Sequence, residues 1–365
     1  MENRRVMLVP VSNLVPGMVA ARDVYSRNDQ LLIPKESVIT ENSITRITFF
    51  GVLSVSVYVD ETFTKYAEEE DFDTRNLSMQ EKEDIIKFRK SYDMTIASMK
   101  DNMDQLLKVG TEGINTDILI KEVDKLVFMS RSRYHIFDMV QNIRSFDDET
   151  YRHSLNVAMI NNVFADWLGM SEKEKNLLTL CGLLHDVGKL LISKDILRKP
   201  SRLTDDEYEE IKQHPMRGYQ SLKDKDIPES AKRAVLLHHE RCDGKGYPFG
   251  MTTGEIDPYA AITSIADVYE AMTATRVYRK GMSPLKVIKI MEEDGKNQFN
   301  PIFLVPILNN LTNTYLQHEV VLSNGMEGKI VLINQNERSR PMIMVGENTF
   351  IDLAKQRDIS IDEVR

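Results

Sequence analysis

An adjacent histidine and aspartate, His185 and Asp186, close the apolar run Leu183-Leu184, and Lys189 follows one turn later. An imidazole and a carboxylate suit a divalent metal ion, and a nearby ammonium suits a phosphate. The three together fit metal-assisted hydrolysis of a phosphate ester. Taken alone, a His-Asp pair at the end of a buried helix reads more often as a satisfied polar cap. The chain has 7 histidines, and His153, His185, His214, His238 and His239 all lie between positions 153 and 239. Imidazole ligates zinc, iron and manganese, while carboxylates suit harder ions and can bridge two of them. Such a cluster, with aspartates, points to a two- or three-metal site rather than one structural zinc. His135 and His318 fall outside the pattern and are expected to do structural or surface work.

Spacing supports the same chemistry. Glu149 and His153 are four apart on a predicted helix and so share a face. His185-Asp186 end the predicted helix Asn176 to Leu184, and His238-His239 end another, Ala231 to Leu237. Neighbours on a helix diverge by roughly 100°, so each pair can serve two metals, or one metal and a supporting contact. Asp267 lies inside the apolar helix Ile262 to Met272, where an unpaired carboxylate is costly. Coordination removes that cost, as does a buried hydrogen bond or salt bridge. In the loop after His239, Asp243-Gly244 and Gly246 predict a tight turn that brings backbone close. Tyr247 and Pro248 offer a flat apolar surface for a base or ribose.

The elements that must position these residues read as mainly helical. Residues 1–60 pattern as a small α+β domain with short strands at Val6–Val11, Met18–Val24, Leu31–Ile33 and Val52–Val59. A short helix is predicted over Glu41–Phe50, with Thr40 as N-cap and Gly51 as its stop. Residues 61–78 are acidic and read as a solvated linker. Over 79–145, Ile85, Phe88, Tyr92, Ile96, Met99, Met103 and Leu106 recur every three or four residues, one apolar helix stripe. The stripe suits packing on its own domain, and its length also allows a homodimer seam through 79–145. Helix resumes from Thr116 to Ile143. Residues 146–312 read almost wholly helical, with capping boxes at Ser171–Glu174 and Thr204–Glu207 and a cap-proline start at Ser283-Pro284. Residues 313–365 turn β-rich, with strands at Glu319–Leu322, Gly328–Ile333, Met342–Val345 and Thr349–Ile351 and a turn at Asn324-Gly325.

A net charge of -9 argues against a nucleic-acid duplex as partner, but not against a small nucleotide met by a local cationic cluster. Cys181 and Cys242 make neither a disulfide framework nor a CxxC zinc site, which suits a reducing cytoplasm. No signal-peptide h-region and no run of 18 apolar residues is present, so neither secretion nor a membrane span is expected.

His153, the HDxGK run at 185–189, His214-Pro215, the His238–Pro248 loop, Ile265–Thr273 and Arg276–Lys280 together resemble the HD-GYP subgroup of HD-domain phosphohydrolases over about residues 147–303. The resemblance implies an all-helical HD-type metal-dependent phosphohydrolase core. It implies His153, His185, Asp186, His214, His238, His239 and Asp267 as metal ligands, with Asp186 bridging. Glu149 stands where a glutamate accompanies the family's three-metal forms, which favours three divalent ions over two. Iron or manganese is the expected metal, with zinc, nickel or magnesium as alternatives. Lys189 matches the lysine at the scissile phosphate. Arg276, with Arg279 or Lys280, matches the cationic segment facing the substrate phosphates, and Gly246, Tyr247 and Pro248 would shape the pocket. The implied activity is hydrolysis of cyclic di-GMP, a bacterial second messenger, to linear pGpG and in some members to GMP, through a hydroxide shared between metals. The alternatives are a phosphohydrolase of another cyclic dinucleotide or nucleotide, and a non-catalytic sensor. The full ligand set argues against the sensor. One departure is Phe299-Asn300-Pro301, where many relatives have Asp before Pro; that position is expected to be structural.

Overall fold

The computed structural model describes the chain except residues 1–4, 12–13, 15–16, 26–30, 41–42, 45, 48–51, 53, 60–78, 109–114, 131–135, 138, 140–148, 198, 200–202, 275–281, 347–348 and 365. Strands β1 (Arg5–Pro10), β2 (Val19–Ala20) and β5 (Ser54–Val59) form an antiparallel sheet in the order β1-β5-β2, while β3 (Val24–Tyr25) pairs with β4 (Leu31–Ile33). The predicted strand Met18–Val24 therefore divides between two sheets. Leu14, Ile39, Ile47, Val55 and Val57 give these strands a small core of their own. Thr40 Oγ1 accepts from the Ser43 N–H at 3.1 Å, as the predicted cap requires, though most of the helix it heads lies outside the described residues.

Helix α1 (Met79–Leu107) buries Phe88, Tyr92, Ile96, Met99, Met103 and Leu106 in the main core of the same chain and leaves Ile86 and Met94 exposed. Helix α2 (Thr116–Met129) packs Leu119, Ile120, Val123 and Leu126. It stops at Ser130, whose backbone is extended (ψ 121°), so the helix expected to run on to Ile143 ends early. The helices that build the site follow: α3 (Glu149–Trp167), α4 (Glu172–Leu184), α5 (Lys194–Leu197), α6 (Asp205–Lys212), α7 (His214–Leu222), α8 (Glu229–Leu237), α9 (Pro258–Thr273), α10 (Pro284–Glu293) and α11 (Pro301–Thr314). Both predicted capping boxes form, at Ser171 and at Thr204.

Every residue of α3 from His153 to Ala165 is buried, so α3 has no solvent face and the other helices pack around it. A Cβ on Gly182 would lie 2.6 Å from Ala158 Cα, so the glycine lets α4 cross α3 with backbone nearly touching backbone. After α11 the chain forms an antiparallel sheet in the order β10-β6-β7-β8-β9 from β6 (Glu319–Leu322), β7 (Glu327–Leu332), β8 (Met342–Val345), β9 (Thr349–Asp352) and β10 (Ile361–Val364). Gly325, with φ 81°, makes the β6–β7 turn. Strand β10 is absent from the sequence reading because Ile-Asp-Glu-Val carries too few apolar residues to mark a strand. The fold is thus mainly α, a helical core with small strand regions before and after it. No helix among the described residues is long and apolar enough to cross a membrane.

Candidate active site

Four helix ends and two helix faces converge on one buried spot. His185 is the C-cap of α4 and Asp186 follows it. The 3-10 turn Val187–Leu191 then folds against α7, which begins with His214. This contact depends on Gly188: a Cβ there would overlap the His214 carbonyl oxygen and lie 2.8 Å from Gly218 N. His238 is the C-cap of α8 and His239 follows. Helix α3 contributes His153 and α9 contributes Asp267. His185 and His238 are 0% exposed and Asp186 and His214 1% exposed, so solvent supplies none of them with a partner.

The ligating atoms fall into two groups: Asp186, His214, His238 and His239 in one, His153, His185 and Asp267 in the other, each within 4.8 Å of one another. Asp186 lies between them. Its Oδ1 faces His214 Nε2 at 3.3 Å and His238 Nε2 at 3.7 Å, while its Oδ2 faces His153 Nε2 at 3.6 Å and His185 Nε2 at 3.5 Å. Lys189 Nζ donates to the same Oδ2 at 2.6 Å. Asp267 Oδ1 lies 2.9 Å from His153 Nε2.

The tautomers follow from what the other ring nitrogens touch. His185 Nδ1 donates to Gly182 O at 2.7 Å, His214 Nδ1 to Ile211 O at 2.8 Å and His238 Nδ1 to Val235 O at 3.0 Å. A carbonyl oxygen only accepts, so each Nδ1 carries a proton and Nε2 is the ring atom turned to the cluster. Burial, with the neighbouring imidazoles, holds His238 down to about 4, and burial and His238 hold His239 well below the usual histidine value. The Nε2 atoms of His214 and His238 lie 3.3 Å apart, beside an Asp186 Oδ1 that is buried without a hydrogen bond. Electron-rich atoms gathered this closely without a proton are satisfied by a cation. The donor set of imidazoles and carboxylates therefore fits divalent metal ions.

His153 is held differently: burial opposes its charge, but Glu270 and Asp267 outweigh that and push it up to about 10. Burial alone would raise the Asp186 carboxyl, yet Lys189 and His185 hold it well below the usual carboxylate range. Asp267 is likewise held low, by His153 against its own burial.

The loop after His239 is stapled by Glu240, a buried carboxylate that accepts from Phe249 N at 2.6 Å and Met251 N at 2.9 Å. A Cβ on Gly246 would lie 2.5 Å from backbone atoms of His239, Glu240 and Arg241, so only glycine lets the loop fold back there. The Tyr247 ring then stacks on His239, 4.7 Å between centroids, with Lys212 Nζ 5.5 Å from its centre. Pro248 follows it along the same loop.

Of the residues singled out by sequence, the structure brings together His153, His185, Asp186, Lys189, His214, His238, His239, Asp267 and, beside them, Gly246 and Tyr247. Glu149 opens α3, but its side chain lies outside the described residues, as do Arg276, Arg279 and Lys280. Asn300 is the N-cap of α11, its Oδ1 accepting from Ile302 N at 3.0 Å, a role Asp and Asn fill alike. Sequence reasoning missed Glu240 and Glu270. Glu270 had a signal: a second carboxylate in the apolar helix that holds Asp267, three residues on, carries the same burial cost.

Residues 126–302 match the family model described as HD domain. The chain is 36% identical over 160 residues to "Cyclic di-GMP phosphodiesterase PA4108" of Pseudomonas aeruginosa, covering 44% of this chain and 38% of that protein. It is 34% identical over 171 residues to "3'3'-cGAMP-specific phosphodiesterase 3" of Vibrio cholerae, covering 46% of this chain and 37% of that protein. The chain thus spans about two fifths of the length of these curated relatives. Among solved structures, the HDG"Y"P protein Bd1817 from Bdellovibrio bacteriovorus aligns with a TM-score of 0.50 at 19% identity, over 84% of this chain and 99% of its own, a likeness of fold alone.

Proposed function

We propose that the chain is a metal-dependent phosphodiesterase that hydrolyses cyclic di-GMP to linear pGpG or on to GMP, from the premise that residues 126–302 match an HD domain and carry HD-GYP-like motifs. The observation that carries this reading is Asp186, whose two oxygens face two separate imidazole groups. In this reading His214, His238 and His239 would hold one ion and His153, His185 and Asp267 a second, with Asp186 shared between the two groups. Glu149 serves a third. Iron or manganese suits these donors, with zinc, nickel or magnesium as alternatives. Such ions would supply a water of low pKa as nucleophile and offset charge on the phosphoryl oxygens.

The chain's own residues have distinct tasks. Asp186 fixes the separation of the two halves, and the backbone carbonyls behind His185, His214 and His238 fix each ring. Lys189, half-buried at the edge of Asp186, turns its ammonium to the scissile phosphate, where it opposes the charge that grows as the 3′ oxygen departs. Tyr247, braced on His239, with Pro248 and Gly246 forms a wall for a guanine base. By the resemblance, Arg276 with Arg279 or Lys280 would face the substrate phosphates, which would let a chain of net charge -9 hold a dianion.

The same reading divides the chain into an N-terminal domain (1–60), an acidic linker (61–78), a lead-in helical segment (79–145), the catalytic domain (146–312) and a C-terminal β segment (313–365), acting in the cytoplasm, with a homodimer through 79–145. The test is incubation of the purified protein, loaded with iron or manganese, with cyclic di-GMP. Intact substrate, beside a control enzyme that digests it, refutes the proposal. A relative named for 3′3′-cGAMP favours a second reading, the same chemistry on a different cyclic dinucleotide. Catalytic efficiencies on the two dinucleotides decide between them.

A further inference from the structure

Where His185, His214 and His238 each turn Nδ1 to a nearby backbone carbonyl, His153 is held by a side-chain relay. Its Nδ1 meets Glu270 Oε2 at 2.6 Å, and Glu270 Oε1 accepts from Asn156 Nδ2 at 2.8 Å. Asn156 Oδ1 in turn accepts the Tyr92 hydroxyl at 2.7 Å. Tyr92 is 0% exposed, Glu270 3% and Asn156 6%, so water does not substitute for any link. The direction of each bond is fixed. Asn156 spends its N–H on the carboxylate, so its carbonyl faces Tyr92, and Tyr92 must donate. Burial pushes the phenol up, which keeps that proton in place.

Tyr92 belongs to α1, none of whose other described side chains is among the candidate ligands. The helix is pinned to the α3 turn that carries His153: Arg152 donates to Asp93 at 3.1 Å and its guanidinium lies 5.5 Å from the Tyr92 ring centre. On the other side Met99 and Met103 of α1, with Asp186 and Ser154, line a small cleft. We propose that Tyr92 is a positioning residue for His153, acting through Asn156 and Glu270, so that the seating of α1 sets how firmly the His153 half of the site grips a divalent cation.

Without the hydroxyl, the buried Asn156 carbonyl loses its donor, and the amide is held through its bond to Glu270 alone. Asn156 then braces the Glu270 carboxylate less firmly, and Glu270 holds His153 less firmly in turn. The His214–His238 group has no part in this relay, and that makes the consequence selective. The inference rests on the metal-site reading above.

The test titrates the metal-free full chain with Mn(II) alone, reading free ion by electron paramagnetic resonance, for wild type, Tyr92→Phe, Glu270→Gln and the double variant. Outer partners of a ligating histidine are worth about 10–100-fold in metal affinity, so Glu270→Gln should weaken one class of sites by that much. Tyr92→Phe fills the same space and, one link further out, should weaken the same class by roughly 3–10-fold, leaving the other class unchanged. The double variant should lose less than the product of the two. Unchanged affinity in Tyr92→Phe, equal weakening of both classes, or losses that simply multiply would each overturn the relay. Wild type that takes up Mn(II) in two classes but leaves every cyclic dinucleotide intact refutes the functional reading alone. Wild type that binds no Mn(II) overturns both.

Discussion

Replacing Gly188 by alanine tests whether the site is held by backbone contact rather than by the ligands themselves. The added Cβ would overlap the His214 carbonyl oxygen and lie 2.8 Å from both His214 C and Gly218 N, where ordinary contact starts at 3.4 Å. The difference of 0.6 Å (3.4 less 2.8) is the least by which the first turn of α7 must retreat, and the oxygen demands more. His214 Nε2 starts 3.3 Å from Asp186 Oδ1, so this retreat opens one half of the cluster. Overpacking of this kind costs about 1–3 kcal/mol, within the roughly 5–15 kcal/mol of a folded domain, so Gly188→Ala should fold with Tm lowered by on the order of 5 °C. A misplacement near 1 Å costs about 100-fold in turnover. The assay pairs phosphodiesterase rate with metal content after desalting, and the His214 half should load less. Gly254→Ala is the control, because a Cβ there meets nothing within 4 Å. Gly188→Ala with full metal content and full rate would show that ligand chemistry alone assembles the site, and the argument from backbone contact would fail.

Asp186→Asn keeps the shape but removes the charge that faces both imidazole groups; turnover should fall at least 1,000-fold, roughly the loss of one key electrostatic group, while circular dichroism stays native. Persistent activity refutes the bridging role. Glu240→Gln can accept only one of the two N–H groups from Phe249 and Met251, so the Tyr247 loop should loosen and KM rise by about 10-fold, the worth of one charge-assisted bond; an unchanged KM separates the loop from substrate binding. The metal-free protein should also lose stability in acid through His238. Its folded value of about 4 lies below the unfolded 6.5, so the unfolded chain binds the proton first, and stability falls as pH drops from 6.5 to 4. The loss is on the order of 3 kcal/mol, read by urea unfolding in chelator, and His238→Gln should flatten that slope. His153 works the other way, adding stability below its unfolded value that fades as pH climbs through about 10.

The cluster of candidate ligands was legible in the sequence because burial and chemistry both mark it. Imidazoles and carboxylates at the ends of apolar helices have no cheap reason to be there, and five histidines in one helical stretch repeat the message. Helices were legible where caps are written in side chains, as at Ser171 and Thr204, and strands where turns are, as at Asn324-Gly325. The end of α2 was not, since Ser130 carries no glycine or proline signal and apolar residues continue beyond it. Tyr92 and Asn156 were invisible for a different reason. Each is an ordinary residue on an apolar helix, and their partnership exists only because α1, α3 and α9 meet, with 64 positions between the two (156 less 92) and 114 between Asn156 and Glu270.

The sequence left two readings open for a histidine at a helix end, a polar cap or a metal ligand, and the structure lets one ring serve both. His185 bonds Gly182 O, His214 bonds Ile211 O and His238 bonds Val235 O, in each case the carbonyl three residues earlier in the last turn of a helix. Each Nδ1 gives a carbonyl at a helix end a side-chain donor and is thereby fixed as a protonated nitrogen. Nε2 is left bare and aimed inward by the same bond. The negative ends of α4, α6 and α8 accordingly point at one place, which favours positive charge there before any side chain is counted. A cap substitution that spares Nε2 geometry is therefore impossible at these three positions. Replacing His185 with asparagine, which keeps a donor for Gly182 O but lacks the ring nitrogen that reaches the cluster, should hold the α4 end and its stability within about 1 kcal/mol, the usual worth of a cap, while metal uptake drops. A variant that instead unfolds would mean that the ring's packing, and not its hydrogen bond, holds the end of α4.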